Sequence, residues 1–212
     1  MPALILHVGT KHLSSWSLRP YLAIAHARLP CEDRTIVLDR PDSRARLLEA
    51  SPSGRVPVLV HGDLVIWDSL AICEYVAELA PAAGLWPAAP AIRARARAVS
   101  AEMHAGFAAL RRDMPMDLVT AHPGEGHTAD ALADAARVME IWRDCRAHAG
   151  DGGPFLFGAF TIADAMYAPV ATRFQTYGVA MDDVCRAYVD AIEALPAMQA
   201  WRRDARAAAA AT

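Results

Sequence analysis

Residues 81–91, PAAGLWPAAPA, place three prolines and a glycine in eleven positions, and the chain changes character across them. Proline removes a backbone donor and fixes φ, so such a stretch continues neither a helix interior nor a central strand. It reads as a linker. Before it, short β-rich runs alternate with helical ones; after it, no convincing strand is found. The chain therefore has to fold as a small mixed α/β unit followed by a helical one.

In the first part, ALILHV (3–8) is apolar and β-rich. Residues 17–29 place Leu18, Tyr21, Leu22, Ala25 and Leu29 at helical spacing. A second strand is predicted at 33–39, and a short helix at 42–51 capped by Asp42 or Ser43. RVPVLVH (55–61) and LVIW (64–67) flank Gly62-Asp63 and predict a hairpin, followed by an amphipathic helix at 68–80. The order βαβαββα implies a crossover followed by an antiparallel hairpin, giving a mixed sheet covered by helices. Beyond the linker, helices are predicted at about 91–112, 128–149, 161–175, 180–194 and 196–211, with the alanines at 207–211 as a fraying end. The predicted units are 1–80, 81–91 as linker, and 92–212 as an all-α bundle.

The 212 residues are 54% hydrophobic and 21% charged, the balance of a soluble globular chain. A formal net charge of -3 gives no general attraction to nucleic acid or anionic lipid. Cys31, Cys73, Cys145 and Cys185 form no CxxC pair and sit among apolar or helix-forming neighbours, as free thiols in a reducing compartment would. The opening MPALILHVGT is too short in its apolar run for a signal peptide and lacks a basic start. No apolar stretch approaches the ~20 residues of a membrane span. A cytoplasmic location is expected.

Three features carry chemistry. Pro57 stands inside an otherwise plain strand, where proline is confined to starts, edges and bulges. A cis Val56-Pro57 bond would resolve this by starting the strand after it and turning the Val56 N–H and C=O outward to pair with an extended peptide. Only about 5–6% of X-Pro bonds are cis, a rate that favours a trans proline at an edge. The second feature is Asp68-Ser69, where a strand gives way to a helix. Either residue is a natural N-cap. The same geometry would hold a ligand carboxylate on free N–H groups, with the Asp68 carboxylate taking an amine beside it, which together describe an amino-acid head group. Third, KHLSSWSLRP (11–20) crowds three serines ahead of Pro20. Proline is comfortable in a first helical turn, so an N-cap at Ser17 would make Pro20 the third helical residue and leave Ser14 and Ser15 in the preceding loop.

In order and spacing, a serine-bearing turn after the first strand, SGRVP, and WDS beyond it resemble the glutathione S-transferase superfamily. SSWSLR is similar to the serine motif of its Zeta class and bacterial relatives. FTIADAMYAPV (160–170) resembles the superfamily's buried capping box, with Thr161 and Asp164 at N-cap and N3 and Phe160 as a staple residue. The resemblance covers nearly the whole chain. It implies a thioredoxin-like N-terminal domain, an all-helical C-terminal domain, glutathione as co-substrate, and a homodimer.

By the same resemblance Ser14, with Ser15 as its near alternative, would stabilise the glutathione thiolate. The free thiol resembles a cysteine of pKa ~8.5, so the task is to favour the anion. Each pKa unit of depression needs about 1.4 kcal/mol. One charge-assisted hydrogen bond of roughly 1.5–3 kcal/mol is of the right size, aided by the positive helix end. Val56, Pro57, Asp68, Ser69 and Trp16 would line the glutathione site. Arg40, Arg44 and Arg55 are candidates for its glycine carboxylate or plain surface charges. Trp16 stands where the Zeta motif commonly has cysteine, which weakens the case for a maleylacetoacetate/maleylpyruvate-type cis-trans isomerase. A non-catalytic glutathione-binding protein of the same fold is the third reading.

The electrophile site of this superfamily lies against the first long helix of the second domain. There His104, Phe107 and Arg111 are expected on one face at i, i+3 and i+7. The favoured alternative is that Phe107 and Leu110 are core, with His104 and Arg111 partly exposed. HPGEGH (122–127) has irregular ligand spacing in a flexible loop, so no metal site is expected.

Overall fold

The computed structural model describes residues 3–38, 40–148 and 152–211. Its sheet has four strands in the order β2-β1-β3-β4. β1 (Leu4–Gly9) runs parallel to β2 (Cys31–Ile36) and antiparallel to β3 (Val58–His61), and β3 pairs antiparallel with β4 (Leu64–Trp67). Helices α1 (Ser15–His26), α2 (Ser43–Ala50) and α3 (Ser69–Leu79) complete the βαβαββα order. Leu4, Leu6 and Val8 alternate inward along β1 and form a core with Leu18 and Leu22 of α1 and Ile72 and Val76 of α3. The thioredoxin-like architecture follows from this pattern.

β2 sits two residues earlier than its composition predicts. Its register, from Leu4↔Cys31 to Gly9↔Ile36, matches β1 residue for residue. Two residues on, Leu38 N–H donates to Thr10 Oγ1 at 2.9 Å, so the chain has left the sheet. The predicted strand end, Asp39, lies outside the described residues.

α1 also starts earlier than predicted. Its N-cap is Ser14, not Ser17, which makes Pro20 the sixth helical residue. Ser17 is fully buried and its hydroxyl accepts from Gly9 N–H at 3.1 Å, a role incompatible with capping α1. The missing Pro20 donor leaves the Trp16 carbonyl without the usual i→i−4 bond near the helix start. Beside it, Arg19 Nη1 donates to the Ser15 carbonyl at 3.1 Å.

After the short 3₁₀ turn Pro81–Ala83 come α4 (Pro90–Ala105), α5 (Ala108–Asp113), α6 (Ala129–Ala147), α7 (Ile162–Tyr177), α8 (Asp183–Glu193) and α9 (Pro196–Ala210). The single helix predicted over 91–112 is therefore two. Gly106 is extended and Phe107 is left-handed, with φ 56°. The side chain of Asp134 on α6 accepts from Leu110 N–H at 3.0 Å and so supports the new helix start. The predicted end of the 128–149 helix, Ala149, lies outside the described residues.

α7 is the axis of the helical domain; every residue except Gln175 is buried. At its start, Asp164 accepts from Leu156 N–H, Thr161 N–H and Thr161 Oγ1 at 3.0, 2.7 and 3.0 Å. The side chain predicted to close this box does so. α7 packs on α1, and Arg19 crosses that seam: its Nε donates to the Met166 carbonyl at 3.1 Å. A second tie joins Lys11 Nζ to Asp204 of α9 at 2.6 Å and to Asp33 of β2 at 2.8 Å. Trp201 Nε1 donates to the Lys11 carbonyl at 2.9 Å. All four cysteines are free, three of them buried. Among the described residues no helix is long and apolar enough to cross a membrane.

Candidate functional site

Two adjoining cavities open where α1, the segment before β3 and the helical domain meet. The first, of about 490 Å³, is lined by Trp16, Val56, Pro57, Asp68, Ser69 and His104. The second, about 540 Å³ and more open, is lined by Ser14, Ser15, Trp16, Val56, Arg111 and Arg173. Trp16, Arg55 and Val56 border both.

In the first cavity, Val56-Pro57 is cis. The trans form favoured by base rate is thus corrected, and β3 begins just after the proline at Val58. Among the described residues nothing pairs with the Val56 N–H or C=O. Asp68, at φ 78°, caps α3: its Oδ1 accepts from Leu70 and Ala71 N–H at 2.9 and 3.2 Å. Its Oδ2 lies 3.1 Å from His104 Nε2. Ser69, the first residue of α3, is 2% exposed, yet its hydroxyl has no partner. A buried hydroxyl without a partner costs free energy unless something else supplies the bond.

In the second cavity, Ser14 Oγ is 2.8 Å from Ser17 Oγ, which holds Gly9 N–H. Ser14 and Ser15 are both buried at 7% exposure, at the positive end of α1. Gly9 permits the approach: a Cβ there would lie 3.0 Å from Ser14 Oγ and 3.0 Å from Val56 Cγ2.

Trp16 separates the two cavities and is held by its neighbours. The Arg19 guanidinium lies 4.1 Å from its ring centroid, that of Arg111 5.5 Å, and the His104 ring packs edge-on at 5.3 Å. Burial holds the Arg19 guanidinium well below its ordinary pKa, with Arg173 and Arg111 adding to the effect. Burial likewise pushes Arg173 down to about 10, and lowers Arg111, which Asp134 partly restores. All three remain cationic at neutral pH.

His104, Phe107 and Arg111 do not share one helix face, because α4 ends at Ala105 and α5 begins at Ala108. His104 ends α4 and borders the first cavity, whereas Arg111 lies on α5 and borders the second. Phe107, at the break between them, is 7% exposed, belongs to the core and lines neither. Of the glycine-carboxylate candidates, Arg55 borders both cavities and Arg44 lies against Gly54, while Arg40 is at neither. In the HPGEGH loop, His122 contacts Asp117 and Glu125 and stacks on Tyr177. The sequence reading missed Gly9, Arg19 and Arg173, and gave Ser17 a cap's role. Only the i, i+3 spacing of Ser14 and Ser17 could have signalled one of these.

Both halves of the chain match family models: the glutathione S-transferase N-terminal domain over residues 13–79 and the C-terminal domain over 90–204. The chain belongs to the glutathione S-transferase family. A Caenorhabditis elegans protein named "Probable maleylacetoacetate isomerase" is 37% identical over 94 residues, 44% of each chain. Matches to curated relatives span only 34–64% of those proteins' lengths. Among solved structures, a Burkholderia glutathione transferase homolog with bound glutathione superposes with a TM-score of 0.74 at 24% identity, covering 97% of this chain and 99% of that one. A maleyl pyruvate isomerase, described as a bacterial Zeta-class glutathione S-transferase, gives 0.73 at 22% identity, covering 93% and 95%. At these identities the likeness is one of fold.

Proposed function

We propose that the protein is a glutathione-dependent transferase in which the Ser14 hydroxyl stabilises the glutathione thiolate for attack on a small electrophile. One observation carries the reading: the receptors follow one another in the order of glutathione's own groups. Asp68 and the unpartnered Ser69 hydroxyl suit the α-amino and α-carboxylate of its γ-glutamyl head. The unpaired Val56 N–H and C=O suit the cysteinyl main chain by strand addition. Ser14, at the start of α1, then meets the sulfur. Arg55, beside Val56, is placed for the glycine carboxylate.

In this scheme the serine is a hydrogen-bond donor and forms no covalent bond. The thiol proton leaves to solvent, the sulfur attacks, and the leaving group departs from the electrophile. Ultraviolet titration of enzyme-bound glutathione tests this: the thiol pKa falls by one to two units below its free value, roughly 1.4 kcal/mol per unit. A bound thiol titrating at the free value excludes thiol activation and leaves a binding protein.

The match to the C. elegans protein favours a second reading, glutathione-dependent cis-trans isomerisation, in which the thiolate adds to a double bond and later leaves. Trp16 at the position of the Zeta cysteine argues against it. Turnover of a cis-enedioic acid with no net consumption of glutathione separates the two. A homodimer is part of the proposal and is checked by light scattering.

A further inference from the structure

Lys11 is the chain's single lysine, and it lies in the turn that delivers Ser14. Leu13 N–H and Ser14 N–H both donate to the Thr10 carbonyl, at 3.0 and 2.9 Å, so Thr10 to Ser14 form one closed turn between β1 and α1. Lys11 borders neither site cavity. It lines a separate one, of about 370 Å³, with Thr35 of β2 and Asp204 of α9. Lys11 is 7% exposed, and its Nζ meets Asp204 at 2.6 Å and Asp33 of β2 at 2.8 Å. The rings of Trp201 and Tyr21 lie 5.1 and 5.8 Å from the same nitrogen. The residues on either side are tied as well: Thr10 Oγ1 accepts from Leu38 N–H, and the His12 carbonyl accepts from Leu118 N–H at 3.3 Å. Three consecutive residues thus anchor the turn to the exit of β2, to α9 and to the segment between α5 and α6.

Stability alone does not account for a lysine here. Burying an ammonium costs desolvation, and apolar residues of similar volume often stabilise a fold as well as a buried ion group does. What the ion group adds is direction. One acid comes from each domain, and together they fix where the ammonium, and the turn that carries it, can sit. The end of that turn is Ser14, whose hydrogen bond to a sulfur depends on placement within a fraction of an ångström. We infer that Lys11 is a positioning residue for thiol activation: held between Asp33 and Asp204, it sets the orientation of the Thr10–Ser14 turn and so the reach of Ser14 Oγ to the glutathione sulfur. One ammonium with two carboxylates has a net negative charge, so the field of this group opposes a thiolate and does not itself stabilise one. The inference rests on the transferase reading proposed above, in which Ser14 is the thiolate's donor.

The test uses the full-length protein, with Lys11→Met and with Lys11→Arg, which returns a cation between the two acids. Ultraviolet titration of bound glutathione gives the thiol pKa. Calorimetry with S-methylglutathione gives the affinity for the tripeptide without its thiol. Turnover is followed with 1-chloro-2,4-dinitrobenzene, where a carbon–sulfur bond forms, the carbon–chlorine bond breaks and chloride leaves. Lys11→Met raises the bound thiol pKa by about half to one unit and lowers kcat/KM near pH 6.5 by the corresponding three- to tenfold, a loss recovered at high pH. Its Kd for S-methylglutathione stays within about twofold of wild type. Lys11→Arg returns the thiol pKa most of the way. The rise persists in about 0.5 M salt, where the exposed charge left on Asp33 and Asp204 is screened. Should Lys11→Met fail to fold, Asp204→Ala carries the test with a loss of about two- to threefold and the same thiol signature.

A variant that unfolds more easily yet keeps the wild-type thiol pKa overturns the inference and leaves Lys11 to stability alone. A matching loss of S-methylglutathione affinity overturns it too, by showing general damage to the site, as does a pKa rise that salt abolishes. A wild-type bound thiol at its free value defeats the transferase reading and this inference with it. A lowered wild-type value that neither Lys11→Met nor Asp204→Ala moves defeats the inference alone.

Discussion

Ser14 Oγ and Ser17 Oγ lie 2.8 Å apart, and Gly9 N–H donates to the latter at 3.1 Å. The Gly9 donor fills one lone pair of Ser17, whose proton can then go to Ser14. Ser14's own proton is then free for a third group, and each bond polarises the next. Ser14→Ala should therefore raise the pKa of bound glutathione by about one to two units. At pH 6.5 kcat/KM should fall about 10- to 100-fold, with much of the loss recovered at high pH. Ser17→Ala should give a smaller loss of about three- to tenfold, because Ser14 keeps its hydroxyl but loses its donor. A pH–rate profile of both variants checks this. Should Ser15→Ala, and not Ser14→Ala, move the thiol pKa, the primary donor is misassigned.

Ser69 offers a cleaner separation of binding from folding. Its hydroxyl is buried at the N-terminus of α3 and has no partner, so the folded protein gains little from it. Ser69→Ala should weaken glutathione binding about tenfold in calorimetry while the urea midpoint stays the same or rises. An unchanged Kd would remove Ser69 from the glutathione site.

The sheet and most helices were legible because their signals are local: alternating apolar residues in β1, the Gly62-Asp63 hairpin, the Thr161–Asp164 box. What escaped the sequence depended on contacts made at a distance. Ser17 reads as a cap because proline tolerates an early helical turn, but the Gly9 N–H, eight residues back, claims its hydroxyl. His104 and Arg111 read as one face because a lone Gly106 is a weak break signal; the restart after Phe107 is supported by Asp134 from another helix. Arg19 and Arg173 look like surface charges; only the packing of α1 on α7 buries them. The residues proposed for glutathione were visible as motifs, and of the opposing wall Arg111 was named from sequence while Arg173 was not.

Gly9 sets the spacing between Ser14 and Val56, the two walls of the proposed sulfur site. An added Cβ would meet Leu38 Cδ1 at 2.9 Å, Ser14 Oγ at 3.0 Å and Val56 Cγ2 at 3.0 Å, so two proposed site residues must shift. Gly9→Ala should cost about 1–3 kcal/mol in urea unfolding, as modest overpacking does. Its larger signature should be a weaker glutathione complex with a thiol pKa moved toward the free value. A variant that loses stability yet binds and activates glutathione normally would show that Gly9 serves packing alone.

Asp164 couples the start of α7 to pH. Burial pushes its carboxyl up to about 6, against the pull of its bonds from Leu156 N–H, Thr161 N–H and Thr161 Oγ1. An unfolded aspartate titrates near 3.9, so from about pH 4 to 6 the unfolded chain has lost a proton that the native chain retains. The stabilisation from this proton is complete below about pH 4 and is lost as pH rises through 6. The difference in unfolding free energy between wild type and Asp164→Asn, which cannot titrate, should accordingly fall across that window and level off above it. Asp164→Ala at pH 7 should cost about 2–4 kcal/mol, since it strands two buried backbone donors at the start of the central helix. Urea unfolding at half-unit pH intervals measures both effects. A difference that grows with pH between 4 and 6 would mean the three donors, not burial, govern this carboxyl.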